Sequence, residues 1–214
     1  MSSLTPEKAL VFRITHIDNV AWIFAIGLHC RNSRTNDPNY HEIGNPDLIA
    51  KRAHRVVPIP PGGTLSDYIP FYFTPYSPML LNIKTGHNGM TKTPMPDIVI
   101  LAFSLHTLVE KDVDFVFTDR HAYLRTADEA FSSDVADLGR IDWKILQARD
   151  LERDPDDLGK FERYQAEALV HRHMPVSALA GVVCHGPAQL VRIQQLTQNM
   201  LLNITVAARP AWYF

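Results

Sequence analysis

The sequence predicts an α+β protein, a central mixed sheet with short flanking helices, in a single domain spanning residues 1–214. Short strand-like and helix-like stretches are mixed without the regular βαβ spacing of a doubly wound fold. One run, residues 97–103, is nearly all apolar, as a central strand covered on both faces should be. The composition, 46% hydrophobic and 21% charged over 214 residues, is that of an ordinary globular chain. A chain of this size buries a substantial core without disulfides or metal staples.

The elements follow in order. Residues 11–16 (VFRITH) alternate apolar and polar side chains, the pattern of a half-buried strand. Asp18 is placed to cap a short helix with Val20, Ile23 and Phe24 on one face and Gly27 at its end. From 28 to 53 the periodicity is lost among Asn, Asp, Ser, Pro and Gly, with one helical turn near 47–52. A loop of this length in a compact domain is more often functional than decorative. Residues 58–63 (PIPPGG) form a stiff segment ending in a flexible pair. An aromatic strand is expected over 68–73, a helix over 78–85, a helix over 104–111 capped by Ser104, and a strand over 114–118. Residues 127–147 read as helix in two pieces broken at Gly139. The run from Glu162 to Glu167 leads into Ala168-Leu169-Val170, and short strands at 182–184 and 204–206 flank a helix over 187–200.

Charge and cysteine usage narrow the function classes. The formal net charge of −2 argues against a chain that coats itself in nucleic acid nonspecifically, but binding follows clustered charge rather than the sum. Arg31, Arg34, Lys51, Arg52 and Arg55 cluster early, whereas Asp150, Glu152, Asp154, Asp156 and Asp157 cluster late. Cys30 and Cys184 are too few for a disulfide framework. The longest apolar stretch, residues 20–28, is far short of the roughly 20 residues of a membrane span. With no secretory leader pattern at the start, these features predict a cytoplasmic protein without membrane contact.

Glycine-rich dinucleotide and phosphate loops, a serine nucleophile elbow and Cys-x-x-Cys pairs are absent. His171-Arg172-His173, with Cys184 and His185 later, is the best metal candidate. No carboxylate is spaced to complete that site, so no metal is expected. Lys51-Arg52-Ala53-His54-Arg55 reads on spacing alone as a solvated helix face. Arg13, Thr15 and Asp18 or Asn19 fall where an early strand meets a helix start. Thr118-Asp119-Arg120-His121 follows a strand and offers an acid, a base and a hydroxyl. Glu167 lies beside an apolar strand-like run, where a charge is costly unless paired or used. The residues alone leave both a structural ion pair and a catalytic role open.

Six ordered blocks add a resemblance: RITHIDN at 13–19, Arg52 through PIPPGG at 58–63, DYIPFYF at 67–73, SPML at 77–80, FVFTDRH at 115–121 and QAE at 165–167. In these the chain resembles the DarT family, DNA ADP-ribosyltransferase toxins whose DarG antitoxin partner carries an ADP-ribose-removing macrodomain. The resemblance implies an ADP-ribosyltransferase fold that consumes NAD as co-substrate and links ADP-ribose to a base, typically thymine, in single-stranded DNA. Carried over position by position, it makes Glu167 the catalytic glutamate and Arg52 the essential arginine. Arg13, where some relatives have histidine, and Thr15, His16 and Asn19 are implied to line the NAD pocket, with the loop from Asn32 to Arg52 covering it. His121 matches a residue near the DNA channel, and Arg31, Arg34, Lys51, Arg55, Tyr72 and Tyr76 are candidates for a basic groove with stacking surfaces. Arg52 serves either the acceptor base or the NAD diphosphate. An NAD-consuming RNA 2′-phosphotransferase and a non-catalytic nucleotide-binding module are the alternatives.

Overall fold

A computed structural model describes residues 4–214. The chain opens with β1 (Leu10–His16), then a 3-10 turn and α1 (Val20–Ile26), which buries Val20, Ile23 and Phe24. β2 (Leu28–His29) precedes the long loop, and α2 (Pro46–Arg52) starts where Asn45 accepts the Leu48 N–H. β3 (Tyr68–Tyr72) leads to α3 (Pro78–Thr85), capped by Ser77. Next come β4 (Ile98–Ser104), α4 (Leu105–Glu110), β5 (Phe115–Thr118) and β6 (Phe131–Ser132). α5 (Trp143–Ala148), α6 (Lys160–Arg163), β7 (Glu167–His171) and β8 (His173–Met174) follow. β9 (Leu179–Cys184), α7 (Pro187–Asn199) and β10 (Thr205–Ala208) close the order.

Eight strands form one sheet in the order β10-β9-β4-β1-β3-β7-β5-β6, and β2 pairs with β8 in a small second sheet. The large sheet is mixed, because β9 and β10 run parallel while the other pairs are antiparallel. β4 is central and almost fully buried, as its apolar run requires. β1 pairs with β4 over its whole length but meets β3 in register only at Phe12 and Tyr72. The sheet therefore parts between β1 and β3.

Several expected boundaries differ. Asp18 does not cap α1. It lies in the 3-10 turn, whose own cap is His16, while α1 starts from Asn19 without a side-chain cap. Ser104 spends its hydroxyl on the Lys8 carbonyl rather than on α4. Residues 127–147 hold β6, a 3-10 helix over Val135–Arg140 and α5, so the break falls after Arg140 and not at Gly139. A polar 3-10 helix and an α-helix share apolar spacing too closely for a short window to separate them.

Gly27 ends α1 with φ 84° and ψ −169°, a region that essentially only glycine adopts. A Cβ there would stand 2.3 Å from the Met174 carbonyl oxygen and 2.7 Å from His173 Nε2, because β8 packs directly on this turn. Gly62, at φ +80°, has nothing within 4 Å of such a Cβ. Gly27→Ala is expected to cost more than the roughly 1–3 kcal/mol of the backbone strain alone. Gly62→Ala should cost only about 1–2 kcal/mol. Urea unfolding of the two variants checks the difference, and equal losses would contradict the close approach of β8.

Candidate active site

Cross-strand register builds the site. Glu167, first residue of β7, stands opposite Tyr72 of β3 on one side and Thr118 of β5 on the other. Directly opposed residues share a face, so three polar side chains lie in a row across three strands. The period of two sends Ala168 and Val170 into the main core with Phe71 and Phe117. Leu169, on the Glu167 face, packs instead with Val116 and Tyr68 in a smaller cluster.

Glu167 is only 2% exposed. Arg52, at the end of α2, donates from Nη1 to Glu167 Oε2 at 3.0 Å and is itself buried. It arrives there because the 58–63 segment doubles back, closed by the Val57 N–H on the Gly63 carbonyl at 3.0 Å and the Tyr68 hydroxyl on the Gly62 carbonyl at 2.7 Å. His121 Nδ1 lies 3.2 Å from Glu167 Oε1. No hydrogen bond joins that pair: Nδ1 accepts the Tyr123 N–H at 3.2 Å, which assigns the ring proton to Nε2. Glu167 Oε1 and Arg52 Nη2 are thus buried without a hydrogen-bond partner among the described residues. A buried carboxylate oxygen and a buried guanidinium nitrogen in this state are costly unless a ligand completes them.

Burial holds the His121 imidazole below its usual range, with Glu167 pulling the other way and Arg52 adding to the lowering. Burial, and then the Glu167 charge, push the Tyr72 phenol well above its usual range. At neutral pH the pocket therefore contains a neutral imidazole and a neutral phenol around one ion pair.

A cavity of about 530 Å³ opens where the sheet parts. Its walls include Arg13, Trp22, Tyr40, Ser66 and Arg52, with Arg31 contributed by the loop after β2. Arg13 donates to the Pro70 carbonyl at 3.0 Å, and its Nε is buried and unpartnered among the described residues. Arg13, Arg31 and Arg52 bring guanidinium groups to the cavity, with Arg31 paired to Glu42 and Arg52 to Glu167, and planar guanidinium groups suit a phosphate-bearing ligand of nucleotide size.

The family model described as "ssDNA thymidine ADP-ribosyltransferase, DarT" matches residues 12–214. A "DNA ADP-ribosyl transferase" of Escherichia coli O127:H6 is 49% identical over 213 residues, covering 100% of this chain and 97% of that one. The chain belongs to the DarT family. Among solved structures, Thermus sp. 2.9 DarT in complex with ADP-ribosylated single-stranded DNA superposes with a TM-score of 0.88 at 30% identity, covering 98% of each chain. The same Thermus protein in complex with NAD+ superposes with a TM-score of 0.83, covering 98% of this chain and 99% of that one. The mixed α+β sheet with short flanking helices is therefore a DarT fold.

Within that fold the residues singled out in sequence divide into groups. Glu167, Arg52 and His121 come together. Arg52 is not on a solvated helix face, because its guanidinium is drawn inward by Glu167. Arg13 and Arg31 line the cavity. Thr15, His16 and Asn19 stand behind its wall: Asn19 ties down His41, Thr15 lies 3.4 Å from the Tyr40 hydroxyl, and His16 stacks on His41. Arg34 and Lys51 are exposed, but Arg55 is spent on Asp128 and on the Leu124 carbonyl. Tyr76 is no free stacking surface. Its hydroxyl donates to the Tyr213 carbonyl at 2.9 Å, while Arg149 and Phe214 cover its ring. The His171/His173 metal candidate dissolves, since Arg172 at φ 58° separates them and their rings lie against Tyr68 and His29 respectively. Cys184 is buried on β9, with three strands between it and β7. Tyr40 and Trp22 were missed in the sequence, where an aromatic residue in a polar loop was the only signal for Tyr40.

Because the folded-state pKa of His121 is lowered, the native protein binds fewer protons than the unfolded chain as pH falls through about 6.5. Stability from this group is full above that pH and is lost below it. Unfolding free energy is expected to fall between pH 7.5 and 5.5, and to fall less in His121→Asn. Parallel denaturant titrations at the two pH values check this, and identical losses would remove His121 from the acid limb.

Proposed function

We propose that this chain transfers ADP-ribose from NAD+ to the thymine base of single-stranded DNA, with Glu167 and Arg52 as its catalytic pair. The observation that carries the reading is the Glu167 carboxylate, buried in the sheet with Oε2 held by Arg52 and Oε1 left without a hydrogen bond. Family membership supplies the reaction class.

In this reading NAD+ occupies the arginine-lined cavity and its nicotinamide-bearing ribose reaches Glu167. The glycosidic bond breaks with its electron pair leaving on neutral nicotinamide, so positive charge develops on the ribose ring. Oε1 accepts a hydrogen bond from a ribose hydroxyl, and the carboxylate stabilises the oxocarbenium-like centre in a site with little water. Thymine N3 then bonds to the anomeric carbon and its proton passes to water. Arg52 cannot act as the base, because a guanidinium stays protonated. Arg13 and Arg31 line the cavity where the diphosphate would lie, whereas Arg52 is the one of these three arginines that touches Glu167 at the reacting end. We therefore give its unpartnered Nη2 to a thymine carbonyl, where it stabilises the anion formed at N3. His121 borders the same end, and exposed Arg34 is assigned to the DNA backbone.

The reading extends to a cytoplasmic toxin neutralised by a partner whose macrodomain removes ADP-ribose, as the family resemblance implies. Among the described residues no helix is long and apolar enough to cross a membrane. Growth arrest on expressing the chain, absent for Glu167→Gln, checks the toxic role.

Incubation with NAD+ and short oligonucleotides, read by mass spectrometry, is expected to add ADP-ribose to thymine-containing DNA. Loss of a 2′-phosphate from RNA with no gain on DNA would select the phosphotransferase instead. Glu167→Gln should lower turnover on the order of 100- to 1,000-fold, with NAD+ affinity changed far less. The variant also leaves Arg52 buried without a counter-charge, so its melting temperature should drop. The diagnostic quantity is therefore the split between turnover and NAD+ affinity. Equal losses in both would overturn the assignment.

Arg31→Ala and Arg34→Ala should separate the two substrates. The first is expected to weaken NAD+ binding. The second should flatten the salt dependence of DNA binding by about 0.7 in log–log slope, the share of one single-strand phosphate contact. Unchanged NAD+ affinity in the first, or an unchanged slope in the second, would remove that residue from its assigned contact.

A further inference from the structure

The end of β1 carries another cluster of ligand-type side chains, outside the transfer site. His16 closes β1, Asp18 lies in the turn after it, and His41 reaches both from the loop over the cavity. His16 Nδ1 and His41 Nε2 lie 3.4 Å and 3.8 Å from one oxygen, Asp18 Oδ2. All three ligand atoms fall within 4.8 Å of one another, and no other such group occurs among the described residues.

We propose that His16, Asp18 and His41 bind a divalent transition-metal ion of the zinc type, and that the bound ion fastens the loop over the cavity to the body of the fold. Two imidazole nitrogens and one carboxylate oxygen are a donor set for zinc and its neighbours rather than for magnesium or calcium. A tetrahedral ion with ligands at about 2.0–2.2 Å holds them roughly 3.3–3.6 Å apart, close to the 3.4 Å of His16 Nδ1 and the 3.8 Å of His41 Nε2 from Asp18 Oδ2.

The surroundings orient the ligands. Arg192 binds Asp18 Oδ1 at 2.5 Å, which turns Oδ2 toward the rings. Asn19 holds the His41 backbone from both sides, donating to its carbonyl at 3.0 Å and accepting its N–H at 2.9 Å. Such outer contacts are what fix metal ligands in place. The rings stack at 4.4 Å with planes 9° apart, so His41 must turn out of the stack to aim at the ion. Its side chain is 52% exposed and has room to do so. The bond displaced at His16 Nδ1, from the Asp18 N–H, is a long one of 3.3 Å. Tyr40, which lines the cavity, adjoins His41 in the chain, so a fixed His41 limits how far this wall opens.

The test uses the full chain stripped with chelator and titrated with Co2+ as a spectroscopic probe. One Co2+ per chain is expected, with visible absorption of nitrogen and oxygen ligation, no thiolate charge-transfer band, and displacement by Zn2+. Hydrogen exchange across residues 31–45 should slow when Zn2+ binds. His41→Ala and Asp18→Asn should each weaken binding more than about tenfold, and if one fails to fold the other still reports. Absence of stoichiometric binding, a thiolate band, wild-type affinity in both variants, or unchanged loop exchange would each overturn the proposal. None of these readouts depends on the transferase reaction, so this proposal and the transferase reading can fail separately.

Discussion

A carboxylate in the middle of a sheet is the constraint around which the rest of this structure is arranged. Glu167 stands between two paired strands and is 2% exposed, a place where an unpaired charge would be neutralised or the strand expelled. Arg52 offsets that cost through one hydrogen bond and a full counter-charge. The compensation is incomplete, because Oε1 and Nη2 remain unpartnered among the described residues. Removing one member of a buried pair typically costs roughly 3–5 kcal/mol. Replacing such a pair with apolar side chains is often neutral or stabilising, so stability alone gives little reason to keep it. A half-satisfied pair whose arginine lines a cavity makes sense as a site preorganised for a ligand.

The path of the chain before β3 serves that pair. Arg52 is 115 positions from Glu167, and only the return of the 58–63 segment brings the end of α2 onto β7. The isolated bridge between Val56 and Thr64 closes that return. Asp67 then anchors it, accepting from the Thr64 N–H at 2.8 Å and from the Asn32 side chain at 2.8 Å. The same Asp67 thus couples the loop over the cavity to the strand that flanks Glu167. The parting of β1 from β3 supplies the space, since a sheet paired continuously there would leave no room for a nucleotide beside the carboxylate.

Much of this fold was legible because its strands are short, apolar and bounded by turn residues. β1, β3, β4, β5, α1, α3 and α7 fall where periodicity puts them. What failed was local. Asp18 has the chemistry of a cap, but Arg192, 174 positions away, claims its carboxylate. Tyr76 looks like a stacking surface until Tyr213 and Phe214 arrive from the other end of the chain. Glu167 shows the limit most clearly. Its awkward position beside an apolar run was visible, but its partner could not be read, because Arg52 sits in a basic run whose spacing suits a solvated face. Long-range pairing decides which of two similar charged residues turns inward, and one-dimensional spacing does not contain that information.

The loop over the cavity obeys different energetics from the pair beneath it. Arg31 and Glu42 bridge it at 3.1 Å, but both side chains are well exposed, and such pairs are worth about 0–1 kcal/mol. The two Asn19 hydrogen bonds to His41 contribute roughly 0.5–1.5 kcal/mol each. A loop held by an exposed ion pair and a handful of hydrogen bonds, the Asn32 side chain on Asp67 among them, belongs nearer the low-stability end of a fold than the sheet does. Glu167 sits on a strand that cannot move without breaking the sheet, and it holds Arg52 from the end of α2. The contacts at the rim are therefore weak and solvent-accessible, while the buried carboxylate beneath them stays fixed. In the reaction we propose, preorganised electrostatics need that rigidity, since a carboxylate that had to reorient during bond cleavage would lose the stabilisation it offers.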